Sequence, residues 1–212
     1  MENKEKEIKI VIIGGMNSGK TKFCEYLQNS EKNINFSNYL TTAGVRYFSK
    51  YIIHNNIYYH LKIFDTSGQE KYAHVTKIFY DNADIIFIFF IYNSKDSFER
   101  ANNKFQFAKI NTKPDVVFAL IGNKYDEDKN CLEENEHILH EEKVLEFVEK
   151  NNLIFSHLSI KEKYSKGINE IFMKVMNEYI KKKKNKYINK LILLRIKLNI
   201  LLNIIIFVYI FI

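Results

Sequence analysis

The sequence predicts an α/β domain built on a mostly parallel sheet, and three observations predict it. Short apolar, β-branched runs alternate with amphipathic stretches along most of the chain, the pattern of strands and crossover helices. Residues 84–92 (DIIFIFFIY) are apolar at nearly every position, as in a strand covered on both faces. Between the first run and the first helix lies a loop of the form G-x-x-x-x-G-K-[ST].

The elements follow in order. Residues 8–13 form a short apolar run that stops at Gly14-Gly15, and residues 19–28 read as a helix. Residues 45–54 and 57–64 are strand-like and are separated by His54-Asn55-Asn56, a hairpin turn. Residues 84–92 and 116–121 are the buried strands, and 153–157 is a weaker one. Helical periodicity falls at 97–110, 136–150 and 167–181. The expected fold is six strands, mostly parallel, with one antiparallel edge strand and helices on both faces. The lysine run 181–184 marks a change of composition. It separates a domain of residues 1–180 from a basic linker, 181–190, and an apolar segment, 191–212.

Composition narrows the function classes. The chain has 212 residues, enough for one domain with a short extension. Its net charge of +7 is concentrated in the tail: from Lys181 onward there are eight Lys/Arg and no acids, which leaves the first 180 residues at −1. Nucleic-acid binding by the domain loses its main support. The two cysteines, Cys24 and Cys131, are expected to be free thiols of a cytosolic protein. The polar N-terminus does not resemble a secretory signal.

The loop Gly14-Gly15-Met16-Asn17-Ser18-Gly19-Lys20-Thr21 follows a strand and opens a helix, the context that a phosphate-binding loop needs. Its glycines let the backbone curl so that N–H groups face phosphate oxygens, and the helix N-terminus adds positive dipole. Gly14, Asn17, Ser18 and Gly19 form the cradle. Lys20 is placed to reach the β- and γ-phosphates, and the Thr21 hydroxyl to bind Mg²⁺. Such loops also serve kinases and ATPases, so the base must be read elsewhere.

Asn123-Lys124-Tyr125-Asp126 follows the strand 116–121 and resembles the NKxD motif of the Ras superfamily, which reads guanine. By that resemblance Asp126 accepts from the guanine N1–H and amine, Lys124 lies along the base, and Asn123 ties its loop to the phosphate loop. Adenine offers the wrong donors to a buried carboxylate. Ser159-Ile160-Lys161 resembles the family's SAK loop, whose middle N–H meets guanine O6. Asp65-Thr66-Ser67-Gly68-Gln69-Glu70 resembles DTAGQE. It implies that Asp65 holds Mg²⁺ through water, the Gly68 N–H senses the γ-phosphate and Gln69 orients the attacking water. Thr42 resembles the switch threonine that closes on Mg²⁺, with Thr41 as the neighbour that could take its place. Gln69-Glu70-Lys71-Tyr72, Phe79-Tyr80-Asp81-Asn82-Ala83-Asp84 and Gly167-Ile168-Asn169-Glu170-Ile171-Phe172 favour the Rab branch.

The resemblance implies a Ras-like G domain that binds GTP or GDP with Mg²⁺ and hydrolyses GTP slowly, with Gln69, Lys20 and Thr42 in the catalytic roles. It implies a monomer that meets effectors, an exchange factor and a GTPase-activating protein through Thr42 to Tyr47 and Gly68 to Tyr80. It implies a role in vesicle or membrane traffic and no nucleic-acid partner. Departures are visible. Met16 and Asn17 bring bulk where relatives are small, which points to slow hydrolysis or, as the rival reading, to a GTP-binding scaffold with negligible hydrolysis. An ATP-dependent enzyme is disfavoured by Asp126. The stretch between Lys20 and Thr42 is long, and Phe36 is the candidate aromatic over the base. Arg46 and Tyr47 replace an acidic–Phe pair.

The prenylated C-terminal cysteine of the family is absent, and Glu2 is not a myristoylation site. Residues 191–212 would span about 33 Å as a helix against a bilayer core of about 30 Å. A tail anchor with the domain on the cytosolic face of an intracellular membrane is one reading. An interfacial or protein-packed helix is another. A translated non-coding extension, with the protein in the cytosol, is the third.

Overall fold

The computed structural model describes residues 5–29, 41–42, 44–68, 73–92, 94–123, 139, 141–160 and 165–211. The chain divides into two compact units, Met1–Val175 and Met176–Ile212.

The first unit is organised on one sheet. In chain order its elements begin with β1 (Lys6–Gly14), α1 (Lys20–Asn29), β2 (Thr41–Thr42), β3 (Val45–His54) and β4 (Ile57–Thr66). They continue with α2 (Ala73–Tyr80), β5 (Ile85–Ile91), α3 (Lys95–Ile110), β6 (Val117–Asn123), α4 (Glu141–Asn151) and β7 (Ile154–Leu158). The helix α5 (Ser165–Phe211) begins in this unit and continues through the second. The strand order is β2-β3-β4-β1-β5-β6-β7. The strands β4, β1, β5, β6 and β7 are parallel, and β3 runs antiparallel to β4. The six expected strands are therefore present. The two-residue β2 adds a seventh at the β3 edge, too short to leave a periodic signal.

Alternation along the strands sends successive side chains to opposite faces. Val11, Ile13, Ile86, Ile88 and Phe90 join Tyr80, Ala101 and Phe105 in one buried cluster with α2 and α3. Phe87 and Phe89 meet Phe23 of α1, each with ring centroids 5.1 Å apart. The sheet is thus covered on both sides, and β5 is buried at Ile85 through Phe90.

The hairpin of β3 and β4 turns on Asn55 and Asn56, with φ of 51° and 60°. Two left-handed residues make the tight turn whose twist matches the flanking strands, and Asn tolerates that conformation. Ser94 opens α3 by accepting from the Ser97 N–H. Cys24 is a buried free thiol on α1, while Cys131 lies outside the described residues.

The expected helix 136–150 is described from Glu141 onward, and its earlier residues lie outside the described set. The expected end of the last helix at 181 is corrected: α5 continues to Phe211. After Gly167 the chain has neither Gly nor Pro. Lys, Leu and Ile carry no strong helix penalty, so the change of composition does not stop the helix.

In the second unit, every large apolar side chain described from Leu191 to Ile205 is exposed by about half. Among the described residues no helix is long and apolar enough to cross a membrane.

Candidate functional site

Among the described residues, the predicted site residues Gly14 and Asn123 close β1 and β6, Asp65 stands one residue before the end of β4, and the loops that follow β1 and β4 carry Ser18, Gly19 and Gly68. Gly14 terminates β1 with φ of 149°, and a Cβ there would overlap the Phe89 carbonyl on β5. Gly19 has φ of 97°. A Cβ on it would overlap the Asn123 amide and come within 3.2 Å of the Ile160 side chain. Asn17 adopts φ of 57°. The loop therefore takes the curled backbone for which its glycines were read.

Within the loop, the Ser18 hydroxyl donates to the Gly15 carbonyl at 2.9 Å, and Lys20 Nζ donates to the same oxygen at 2.6 Å. Lys20 is only 6% exposed. Burial pulls its pKa down to about 8, opposed by the nearby Asp65 carboxylate. This lysine is a buried cation whose oxygen partner is supplied by the loop backbone.

Thr21, at the start of α1, donates its hydroxyl to Asp65 Oδ2 at 2.6 Å. The other carboxylate oxygen, Oδ1, is buried with no hydrogen-bond partner. Burial pushes the Asp65 carboxyl up; the Thr21 hydroxyl, Lys20 and Arg46 oppose that. A hydroxyl and a carboxylate, one oxygen of which is buried and orphaned, suit a small hard cation. Mg²⁺ takes oxygen ligands and is commonly held by one or two carboxylates together with substrate phosphates. The donors fit the expected ion.

Met16, Asn17, Lys20, Thr21, Gly44, Val45, Arg46, Asp65, Thr66, Ser67 and Gly68 enclose a cleft of about 310 Å³. Its far wall is tied together. The Ser67 N–H donates to the Gly44 carbonyl at 2.6 Å, and the Thr66 hydroxyl donates to the Ile12 carbonyl at 2.8 Å. Gly68 lies against the phosphate loop: a Cβ on it would stand 2.5 Å from the Met16 nitrogen and 2.7 Å from the Gly15 oxygen. Met16 is 56% exposed at the mouth.

The second half of the site is joined to the first by Asn123 at the end of β6. Its side-chain amide donates to the Ser18 carbonyl at 2.9 Å and accepts from the Ile160 N–H at 3.2 Å. The tie expected between Asn123 and the phosphate loop is present, and Ser159 and Ile160 stand beside it, with Ser159 buried. Thr42 is in β2, paired with Val45; its side chain is not described. Phe36, Gln69, Lys124, Asp126 and Lys161 lie outside the described residues.

Two features were not read from sequence. Arg46 lines the cleft rather than only an effector face, because the β3–β4 register sets it opposite Asp65. Tyr47, Phe64 and Phe79 form a continuous row of rings, with centroids 5.3 and 5.0 Å apart. The period-2 alternation of both strands carried a signal for the row, but the partner on α2 could not be paired without the fold.

Comparison with known proteins agrees with this geometry. The family model described as Ras family matches residues 9–181. The mouse Ras-related protein Rab-17 is 33% identical over 169 residues, covering 79% of this chain and 73% of the relative. Ras-related protein RHN1 of Nicotiana plumbaginifolia is 31% identical, covering 79% and 78%. Ras-related protein Rab7 of Cenchrus ciliaris is 32% identical, covering 73% and 74%. With the loop, the sheet order and these matches in agreement, the chain belongs to the Ras family, as a divergent member that resembles the Rabs.

Proposed function

We propose that this protein is a Mg²⁺-dependent switch that binds GTP, hydrolyses it slowly to GDP and phosphate, and regulates vesicle or membrane traffic. The observation that carries the reading is the junction at Asn123, which joins a phosphate loop to the loop expected to meet a base. Lys20 neutralises charge on the β- and γ-phosphates. Thr21, Thr42 and Asp65 hold the metal, which when bound spreads the negative charge of the polyphosphate. Gly68 donates its N–H toward the γ-phosphate, and Gln69 orients the attacking water. Asp126, Lys124, Ile160 and the flanking Ser159 and Lys161 select guanine, with Phe36 over the base.

Nucleotide binding tests the assignment. Fluorescent GTP and GDP analogues bind the wild type in Mg²⁺, and ATP analogues bind weakly. Asp126→Asn relaxes that preference, because an amide cannot accept from both guanine donors. Equal binding of ATP and GTP to the wild type would sink the assignment. Met16, exposed at the mouth, favours one second reading, a GTP-binding scaffold with negligible hydrolysis. Single-turnover hydrolysis separates the two: a measurable rate that drops in Gln69→Leu supports the switch.

Effectors, an exchange factor and an activating protein meet the surface from Thr42 to Tyr47 and from Gly68 to Tyr80, which includes the ring row of Tyr47, Phe64 and Phe79. The protein acts as a monomer. The second unit attaches it to a membrane: eight cations after residue 180 face anionic headgroups, and the exposed Leu and Ile side chains find an apolar medium. Co-flotation with anionic vesicles is the check. Recovery of the full-length protein wholly in the unbound fraction would sink it.

A further inference from the structure

We propose that Arg46 is a contact for the polyphosphate of the bound nucleotide, a second side-chain cation in the cleft beside Lys20; this rests on the reading of the cleft as a nucleotide site. Among the described residues, three charged side chains line the cleft: Lys20, Arg46 and Asp65. Of these, Lys20 and Asp65 cancel, so Arg46 makes their sum positive. An anionic ligand is drawn to a positive cleft, and the low-dielectric walls strengthen that pull.

Register gives Arg46 its aim. It stands directly opposite Asp65 in the antiparallel β3–β4 pair, and opposed residues send their side chains to the same face. The Asp65 side chain meets Thr21 at the start of α1, so Arg46 leaves the sheet on that same side. Its side chain is exposed. Among the described residues no hydrogen bond or ion pair holds its guanidinium, whereas Lys20 is buried and already donates to Gly15. The planar fork of a guanidinium matches two phosphate oxygens at once. Arg46 therefore supplies charge that does not depend on the metal, and its weight is greatest when the metal is removed.

The test compares wild type, Arg46→Ala, Arg46→Gln and Arg46→Lys in two assays. Calorimetry measures binding of inorganic tripolyphosphate without metal. Stopped flow measures release of fluorescent GTP and GDP analogues in excess Mg²⁺ and in chelator. Arg46→Ala and Arg46→Gln weaken tripolyphosphate binding about tenfold, the loss expected for one charge-assisted hydrogen bond at a partly solvated site. They speed nucleotide release by a similar factor in chelator, and by less in Mg²⁺. Arg46→Lys restores part of both. Equal affinities and release rates across the four proteins would overturn the proposal and leave Arg46 to a protein partner. Should the wild type bind tripolyphosphate in an Arg46-dependent way yet fail to prefer GTP over ATP, the guanine reading falls while the role of Arg46 stands. A wild type that binds neither probe overturns both.

Discussion

Residues 85–91 (IIFIFFI) and residues 191–205 are both built largely from large apolar side chains, and their surroundings are opposite. The first segment is β5, hydrogen-bonded to β1 and β6 and covered on both faces, so that Phe87 and Phe89 are wholly buried. The second lies within α5, which satisfies its own backbone, and Leu193 there is 54% exposed. Apolar composition therefore does not decide burial; the presence of a cover does. At about 25 cal/mol per Å² of apolar surface, the exposed helix retains a driving force toward a partner that the sheet centre has already spent. Large exposed apolar patches are characteristic of interaction sites, the use proposed above for this segment.

The contrast can be pressed first where it is strongest. Phe87→Ala removes a ring packed on Phe23 inside the sealed sheet, and should cost about 3–5 kcal/mol in denaturant unfolding. A loss below 1 kcal/mol would mean that the cover over β5 is loose. On the tail the effect should move from stability to attachment. Ile200→Lys in the full chain is expected to weaken binding to anionic vesicles severalfold, since it puts a charge where an apolar side chain would bury itself at the interface, with the unfolding midpoint of the domain unchanged.

A charge placed inside the sealed unit sharpens the comparison. The folded pKa of Lys20 is about 8, below its ordinary 10.5. Below pH 8 the amine is charged in both folded and unfolded chains, and the burial penalty is fully present. As pH rises from about 8 to 10.5, the folded state loses its proton before the unfolded chain does. Lys20 by itself therefore contributes a gain in stability across that window, by up to about 3 kcal/mol, opposed above about pH 9 by the Cys24 thiol, which burial pushes up. Lys20→Met should abolish that gain; a variant with the same pH slope as the wild type would assign it elsewhere.

Asn123→Ala leaves the Ser18 carbonyl and the Ile160 N–H without their side-chain partner, and should destabilise the fold by about 1–3 kcal/mol. Guanine and phosphate affinity should fall together in the same variant. At the small end, Leu193→Ala should shift stability by no more than about 0.5 kcal/mol, although the same kind of truncation is costly in β5.

What the sequence revealed follows from the same contrast. Strands with two-sided cover or clear alternation were legible, and so were the loop glycines, because buried positions and positive φ restrict residue type. The hairpin turn was legible in Asn55-Asn56 for the same reason. The end of α5 was not, because exposed helix accepts lysine and leucine alike and the composition change at 181 carries no stop signal. The two-residue β2 and the short α2 gave too little periodicity. Thr21 and Asp65 were each legible as oxygen donors, and the fold brings them into contact across 44 positions of sequence. Arg46 was seen only as a departure from the family, although the Asn55-Asn56 turn already fixes the register that sets it opposite Asp65; what the turn does not encode is the cleft that both residues line.

Asn123 has a consequence for timing. One planar amide offers its N–H to the phosphate loop and its oxygen to the loop after β7. Rotating it to break one bond misaligns the other, so the two loops act as a single latch. Under the function proposed above, a protein that pries at either loop would loosen the hold on both ends of the nucleotide at once. Phosphate and base would then leave in one kinetic event, and an exchange factor would need a grip on one loop only.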